Sequence, residues 1–493
     1  MIDYIVKQTN EYIDQMPKSQ RKKYGQFFTS KETAVFMAGL FDIPDTRSSI
    51  TILDPGAGSG ILSAALVERL ETIERIKHAE LVCYETDNNV LPLLKANLDW
   101  ICQNCKLDLC YRIISENYIL SQMLEYNEMI GANPHPPKYD LVIGNPPYMK
   151  VSKDALEAKA MPDICHGAPN LYFLFTTMSL YNLKEYGELV YIIPRSWTSG
   201  AYFTAFRKRL LNEGAIEHIH LFVSRDKVFE KESVLQETII IKLKKTREKP
   251  ATITVTTTQS NNDFSEITLF KAPYNTVVSG KDKYVFLVTN QAEVHVLELL
   301  DKWKDTLPSL GLKMKTGLTV DFRNWDYLRD MAEEKTVPLF YSQHIQNGKV
   351  VFPTGKEHEY ILTDQASLLQ PNTNYLFVKR FTSKEEQRRL QCGIYLAKQY
   401  PEYDKISTQN KINFISGAGG LSECVVYGLF VLFNSTIYDQ YYRILNGSTQ
   451  VNSTEINSIP VPKLVLIEKM GRALLASKDL SVATCDQILR SYV

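Results

Sequence analysis

Ile50-Thr51-Ile52-Leu53-Asp54-Pro55-Gly56-Ala57-Gly58-Ser59-Gly60 is an apolar strand running into a glycine-rich turn. Ile61-Leu62-Ser63-Ala64-Ala65-Leu66-Val67 follows with the apolar spacing of a helix. Glycine permits positive φ and lets backbone approach a ligand closely. The first turn of the helix offers unsatisfied N–H groups and the positive end of its dipole. Strand, turn and helix together predict an open α/β sheet that binds its ligand beyond the carboxyl ends of the strands. The spacing Gly56-x-Gly58-x-Gly60 is shorter than the G-x-G-x-x-G of dinucleotide sites. Asp54, just before the turn, repels a pyrophosphate but suits the cationic end of a ligand, an amino group or a sulfonium.

The next strand narrows the choice. Glu80-Leu81-Val82-Cys83-Tyr84 ends in Glu85-Thr86-Asp87. An acid at this place binds ribose hydroxyls. Glu85 takes that role and Thr86 lies against an adenine ring, which with Asp54 points to S-adenosylmethionine. Strand-like runs at 50–54, 80–84, 110–115, 139–144, 188–193, 217–223 and 237–243 alternate with helical ones, so a mostly parallel sheet with helices on both faces is expected. Residues 122–138, with Asn133-Pro134-His135-Pro136-Pro137, read as a loop. This first domain is expected to span 1–250, ending near Thr246-Arg247-Glu248-Lys249-Pro250.

Tyr139-Asp140-Leu141-Val142-Ile143 reads as a buried strand, and Asn145-Pro146-Pro147-Tyr148 follows it. These parts suit methylation of a planar amino group. The exocyclic nitrogen of adenine is a poor nucleophile because its lone pair is delocalised into the ring. Two acceptors aimed at its hydrogens, the Asn145 side-chain oxygen and the Pro146 carbonyl, draw that lone pair out. Pro146 and Pro147 fix φ and remove donors, so the acceptors are held before the substrate arrives. Tyr148 supplies a face on which the base stacks. The bland reading is a tight turn after a strand. Lys150 to Ala168 has little strand character and is a candidate to close over the target base.

Gly25-Gln26-Phe27-Phe28-Thr29, Asp54-Pro55-Gly56-Ala57-Gly58-Ser59-Gly60 and Asn145-Pro146-Pro147-Tyr148 together resemble the gamma-class N6-adenine DNA methyltransferases of restriction–modification systems, of which TaqI-type enzymes are familiar members. The resemblance implies a Rossmann-like, class I S-adenosylmethionine-dependent fold. It implies Thr29, Asp54, Gly56, Gly58 and Glu85 as cofactor ligands. The family's usual Asp-Phe is Asn117-Tyr118 here; Asn117 implies the acceptor for the cofactor's adenine amino group, with Glu116 the fallback. Asn170 to Phe175 resembles the helix lining the cofactor pocket. A phenylalanine before the strand at 237–243 is implied to pack on the extruded adenine: Phe229 is the closest match and Phe222 the alternative. Upstream, Thr29 or Ser30 caps a helix from Glu32 to Leu40.

The remainder, 251–493, reads as a mixed α+β domain. Residues 251–290 look β-rich, Gln291 to Lys302 helical, Gly317 to Val320 a turn entering a short strand, and Gly428 to Leu445 a helix pair about Asn434-Ser435. In the resembled family such a part recognises the DNA target, and 379–386 with 448–452 look more like the PstI/BsuBI-type branch than the TaqI type. Lys379, Arg380, Arg388 and Asn413 are candidates for DNA contact. Double-stranded DNA is the expected partner, with base flipping. A cognate restriction endonuclease acting separately is a possible second partner. Net charge is zero over 493 residues, so a positive face has to arise by segregation of charge. Eight cysteines lack a second ligand pair at zinc spacing, so free thiols are expected and no metal. No run of 18 apolar residues and no signal peptide is visible, so a cytoplasmic location is expected. Two rivals are a protein glutamine-N5 methyltransferase, which also carries Asn-Pro-Pro-Tyr but is usually shorter, and a non-catalytic specificity subunit.

Overall fold

The computed structural model describes all residues except 16, 18–27, 44–45, 131–137, 223–237, 383–385, 447–448 and 493. Two compact units emerge, Met1–Thr289 and Asn290–Val493.

The first unit is built on one nine-stranded sheet. Its elements run α1 (Ile2–Gln15), α2 (Lys31–Gly39), β1 (Ser49–Asp54), α3 (Ile61–Glu71), β2 (His78–Tyr84), α4 (Leu91–Asn104), β3 (Asp108–Ile114), α5 (Tyr118–Ser121), α6 (Met123–Ile130) and β4 (Tyr139–Gly144). There follow α7 (Leu156–Ala160), α8 (Leu171–Asn182), β5 (Leu183–Pro194), α9 (Thr204–Glu213), β6 (Gly214–Phe222), β7 (Thr238–Lys245), β8 (Thr252–Thr258) and β9 (Thr268–Pro273). A short helix, α10 (Tyr274–Val277), and a two-stranded ladder, β10 (Val278–Ser279) with β11 (Tyr284–Val285), close the unit.

The strand order is β3-β2-β1-β4-β5-β7-β6-β8-β9. β1 lies parallel to both β2 and β4, and β4 parallel to β5. β7 is inserted antiparallel between β5 and β6. The order reverses at β1 and β4, so the chain leaves these neighbours in opposite directions and a crevice opens beyond their carboxyl ends. The glycine turn follows β1 and the Asn-Pro-Pro-Tyr loop follows β4, so the sheet itself brings the two motifs together. β4 is buried along its whole length, and α8 is buried from Tyr172 to Asn182, as expected of a helix apolar on all sides. Its polar groups are satisfied internally: Ser179 Oγ meets the Tyr191 hydroxyl at 2.6 Å.

Three expectations are corrected. The boundary near 250 falls inside the first unit. Ile253 and Val255 of β8 are buried, and β8 lies parallel to β6, whose outer edge would otherwise be unpaired. Within 122–138, residues 123–130 are helical and Tyr126 is fully buried, a signal masked in sequence by the adjacent prolines. The turn and strand expected at 317–320 come in the opposite order: β12 (Leu312–Thr316) precedes, and 317–320 contributes one bridge, Thr319 to Gln409. Gly317 is required there, since a Cβ would stand 2.1 Å from the Gln409 carbonyl oxygen.

The second unit opens with α11 (Gln291–Asp301) and carries two sheets. The six-stranded one runs β12, β22 (Ile412–Gly417), β19 (Tyr375–Lys379), β20 (Cys392–Tyr395), β16 (Lys349–Val350), β15 (Ile345–Gln346). The five-stranded one runs β13 (Leu328–Arg329), β17 (Tyr360–Ile361), β14 (Val337–Phe340), β21 (Lys405–Thr408), β18 (Gln370–Pro371). Phe340, Phe377 and Tyr395 anchor its core. The expected helix pair is α12 (Glu423–Asn434) and α13 (Thr436–Leu445), with Ser435 capping the second. Three further helices, α14 (Ser453–Ile456), α15 (Leu464–Ser477) and α16 (Val482–Arg490), complete the unit. Among the described residues no helix is long and apolar enough to cross a membrane.

Candidate active site

The turn after β1 depends on two glycines at positive φ, Gly58 at 54° and Gly60 at 84°, the second being the N-cap of α3. It is tied to the neighbouring strand by its backbone: Ala57 N–H donates to the Tyr84 carbonyl at 2.9 Å, and Gly58 N–H to Glu85 Oε2 at 2.9 Å. Glu85 Oε1 accepts from the N–H groups of Thr86 and Asp87 at 2.7 and 2.8 Å. Burial raises the Glu85 pKa, and these three N–H groups oppose the rise. Asp54 is fully buried beneath the turn. Ser63 Oγ donates to its Oδ2 at 2.8 Å. Burial pushes Asp54 up to about 7, against the pull of Ser63 and the Gly56 N–H, and its Oδ1 makes no well-formed hydrogen bond. A buried carboxylate without a full set of donors is a group that a nearby cation stabilises.

The second motif stands beside the first. A Cβ added to Gly56 would lie 4.0 Å from the Asn145 carbonyl oxygen and 4.0 Å from Phe175 Cε1. Asn145 Nδ2 donates to Thr29 Oγ1 at 3.2 Å, linking the tetrapeptide to the segment before α2, where Ser30 is the N-cap. Pro146 is buried and Pro147 half-buried. Tyr148 departs from expectation. Its ring is 5% exposed and edge-on to Tyr172, and its hydroxyl donates to Asn145 Oδ1 at 2.8 Å, with the Ile192 carbonyl at 3.2 Å. The face expected to receive a base is turned inward, and the acceptor expected to grip an amino group is occupied by the protein's own phenol.

Between the motifs lies a cavity of ≈ 380 Å³. Gly56, Gly58, Glu85, Thr86, Asn117, Tyr118, Asn145 and Pro147 all reach it, so most of the residues singled out in sequence share one wall. Asp54, Thr29, Pro146 and Tyr148 do not line it; they stand behind it and hold the wall. Leu171 and Phe175 line it from the helix that the resemblance set against the cofactor pocket, whereas sequence reasoning missed Phe28 and Met149 as lining groups. Phe28 lay within a quoted motif, but nothing local told which side it faced. It also missed α1, which lies on the glycine turn through a buried bond from Thr9 Oγ1 to Ser59 Oγ at 2.8 Å.

Asn117 is the N-cap of α5: Oδ1 accepts from the N–H groups of Ile119 and Leu120 at 3.0 and 3.2 Å, and Nδ2 donates to Glu157 Oε1 at 2.8 Å. The buried Tyr118 hydroxyl accepts from Asn182 Nδ2 at 2.9 Å. Phe229 lies outside the described residues. Phe222 ends β6 and packs on His220 and Phe264.

One DNA-contact candidate is corrected. Asn413 is fully buried, donating to the Val451 carbonyl at 2.7 Å and accepting from Thr316 Oγ1 at 3.1 Å, so it braces β22 and reaches no base. Arg388 donates to the Ser435 carbonyl at 2.9 Å, which ties it to the α12–α13 corner. Arg380 donates to the Asn410 carbonyl at 3.0 Å and covers the partly exposed Phe381 ring; Lys379 is half-buried at the end of β19. All eight cysteines are free thiols. Asp42, Glu188 and Glu217 converge in the way metal ligands do, but the Lys242 ammonium stands among them, 3.1 Å from Glu188 and from Glu217 and paired with Asp42.

A mostly parallel α/β sheet with β7 inserted antiparallel between β5 and β6, a glycine turn after β1 and an acid after β2 define a class I S-adenosylmethionine-dependent methyltransferase. The cavity fits that cofactor: its size is that of a small-molecule site, Phe28, Leu171 and Phe175 offer apolar wall, and the Glu85 carboxylate reaches it. Comparison with known proteins agrees. A family model described as "Eco57I restriction-modification methylase" matches residues 73–229. The chain is 33% identical over 488 residues to the type II methyltransferase M.PstI of Providencia stuartii, spanning 96% of this chain and 92% of that protein. It is 34% identical over 465 residues to the type II methyltransferase M.BsuBI of Bacillus subtilis, spanning 92% and 90%. The solved structure of the type IIL restriction–modification enzyme MmeI with DNA shares the fold, with TM-score 0.55 at 12% identity, over 100% of this chain and 73% of that one. The chain belongs to the type II methyltransferases of restriction–modification systems and is a DNA methyltransferase.

Proposed function

We propose that this enzyme methylates the exocyclic N6 of one adenine within a specific duplex sequence, after that base is swung out of the helix. The observation that carries the reading is that Gly56 and Asn145 line the same cavity, so the turn of a sulfonium cofactor and an amino-group acceptor open onto one space. S-adenosylmethionine supplies an activated methyl group when bound. Gly56, Gly58, Glu85, Thr86 and Tyr118 form its seat, with Asp54 and Thr29 behind them. Asn145 Oδ1 and the Pro146 carbonyl take the two amino hydrogens of the base, held in place by the prolines and by Thr29. For this the Tyr148 hydroxyl leaves Asn145 and its ring turns toward the base, with Phe229 as partner on the other face. Catalysis rests on positioning and fixed dipoles, with no covalent enzyme intermediate.

The second unit, Asn290–Val493, is the target-recognition domain in this reading. Lys379, Arg380 and Arg388 remain its candidate DNA contacts. A separate endonuclease of the same specificity is the natural companion, and the cytoplasm the natural location for eight unpaired thiols. Glutamine-N5 methylation leaves this large second unit without a task. The test is incubation of the purified chain with labelled S-adenosylmethionine and genomic DNA, then nucleoside mass spectrometry. N6-methyladenine at one sequence context supports the reading; label only in protein, or N4-methylcytosine in the DNA, refutes it.

A further inference from the structure

The second unit carries a cleft of ≈ 630 Å³ that methyl transfer does not use. Its wall comes from the turn between β15 and β16, the paired strands β19 and β20, and the corner between α15 and α16. Four cationic side chains reach it, Lys349, Lys379, Arg388 and Lys478, against one carboxylate, Asp479, among the described lining residues. Asp479 is committed to the cap of α16. Its Oδ1 accepts from the Ser481 N–H at 2.9 Å, and its Oδ2 from Ser481 Oγ at 2.6 Å and from the Thr484 hydroxyl. The three lysine ammonium groups have no hydrogen bond or ion pair among the described residues. Arg388 comes within 3.9 Å of Asp439, a carboxylate that already pairs with Arg443 Nε at 2.9 Å. Like charges gathered on one wall repel each other, and a bound anion relieves that repulsion.

The backbone holds two of these cations at the wall. Lys478 ends α15 in the left-handed region, at φ 56°, where glycine is the unstrained residue. Its side chain is exposed. In the β15–β16 turn Asn347 and Gly348 take φ 48° and 77°, and a Cβ on Gly348 would stand 2.7 Å from Phe430 Cζ. The turn is thus pressed onto α12, and Lys349 follows it directly.

We infer that this cleft seats the phosphodiester backbone of duplex DNA beside the bases that are read, with Lys349, Lys379, Lys478 and Arg388 as its phosphate contacts. The inference rests on the second unit being the target-recognition domain. An ammonium on a flexible stem meets a phosphate as a point charge and carries no base pattern. Arg388 is a poor reader of guanine, because its Nη2 is spent on the Ser435 carbonyl at 2.9 Å and the fork is no longer free for two parallel bonds to a base edge. The cleft also supplies the segregated positive face that a chain of zero net charge needs to hold DNA.

The experiment is fluorescence anisotropy of the full chain on two labelled duplexes, one with and one without the methylated sequence context, over a range of KCl concentrations. Methylation is sequenced in cells expressing each variant. Lys478→Gly removes a charge and relieves the left-handed backbone, so the fold is spared. Lys349→Gln removes a charge and keeps the stem. Each should weaken binding to both duplexes about three- to tenfold and lower the slope of log K against log salt by about 1, with the methylated context unchanged. Unchanged affinity and slope in the double variant overturns the phosphate anchor and leaves target recognition by the second unit standing. A relaxed sequence context in either variant overturns it in favour of base contacts. Absence of binding to either duplex by the unmodified chain overturns the DNA reading and the anchor with it.

Discussion

Asn145, Tyr148 and Asp54 show how far a residue's chemistry depends on its neighbours. Asn145 is held through Nδ2 by Thr29 and through Oδ1 by Tyr148. Asn145→Ala removes the proposed acceptor, so methyl transfer should fall by 10²-fold or more, on the order found for a lost oxyanion-hole donor, while S-adenosylhomocysteine affinity changes little. Near-normal turnover would end that role. Tyr148→Phe keeps a ring and releases Asn145 Oδ1, so single-turnover rates should stay within about fivefold of the unmodified enzyme, against about 10²-fold lost in Tyr148→Ala. Equal losses in the two variants would remove stacking from the account. Asp54 makes a pH prediction. Its pKa rises on folding from the ordinary 3.8 to about 7 because it is buried. The folded state therefore holds this proton more tightly than the unfolded chain, so Asp54 makes stability fall as pH rises between about 4 and 7, and level off above. Denaturant titrations of the cofactor-free protein should show this slope, reduced in Asp54→Asn. An unchanged slope in the variant would show that Asp54 is not the group responsible.

At the scale of the element, the turn from β1 into α3 is where local conformation and the site are inseparable. Gly60 sits at φ 84°, and a Cβ there would stand 3.1 Å from Leu94 Cδ1. Gly60→Ala therefore combines left-handed strain with a crowded contact, and should lower the unfolding free energy by about 1–2 kcal/mol, read as a shift in denaturant midpoint at unchanged slope. No shift would mean that the turn relaxes freely. Helix α1 shows the opposite dependence. Its sequence is an ordinary amphipathic surface helix, and tertiary contacts such as the Thr9–Ser59 bond and the ion pair from the Met1 amino group to Glu68 on α3, at 3.2 Å, seat it on the glycine turn and the helix that follows. The short helix 123–130 was illegible because a proline cluster follows it, and a single buried tyrosine, Tyr126, is a weak periodic signal.

For the whole molecule, the sheet and not the chain's punctuation decides where the first unit ends. Cutting after residue 250 leaves β6 as an open edge and removes buried Ile253 and Val255. A chain ending at Thr289 should be soluble, melt cooperatively and bind S-adenosylhomocysteine, but lack site-specific DNA methylation; a chain ending at 250 should aggregate. Site-specific methylation by the 1–289 chain would remove the second unit from target recognition. The strands β1 to β7, the glycine turn, the Ser30 cap and the cofactor class were all legible, because alternation, positive φ and capping are properties of a few consecutive residues. Which side chains face the cavity was not. Asn413 looked like a reader of bases and is a brace of β22; Asn117 looked like a cofactor ligand, and it lines the cavity while also capping α5 and holding Glu157. A side chain's partner lies tens of residues away, and only packing chooses it. The sequence by itself determined two motifs and the strands that carry them. The tertiary structure decided that β1 and β4 are neighbours whose ends open one crevice, because crossovers leaving two parallel strands in opposite directions part there.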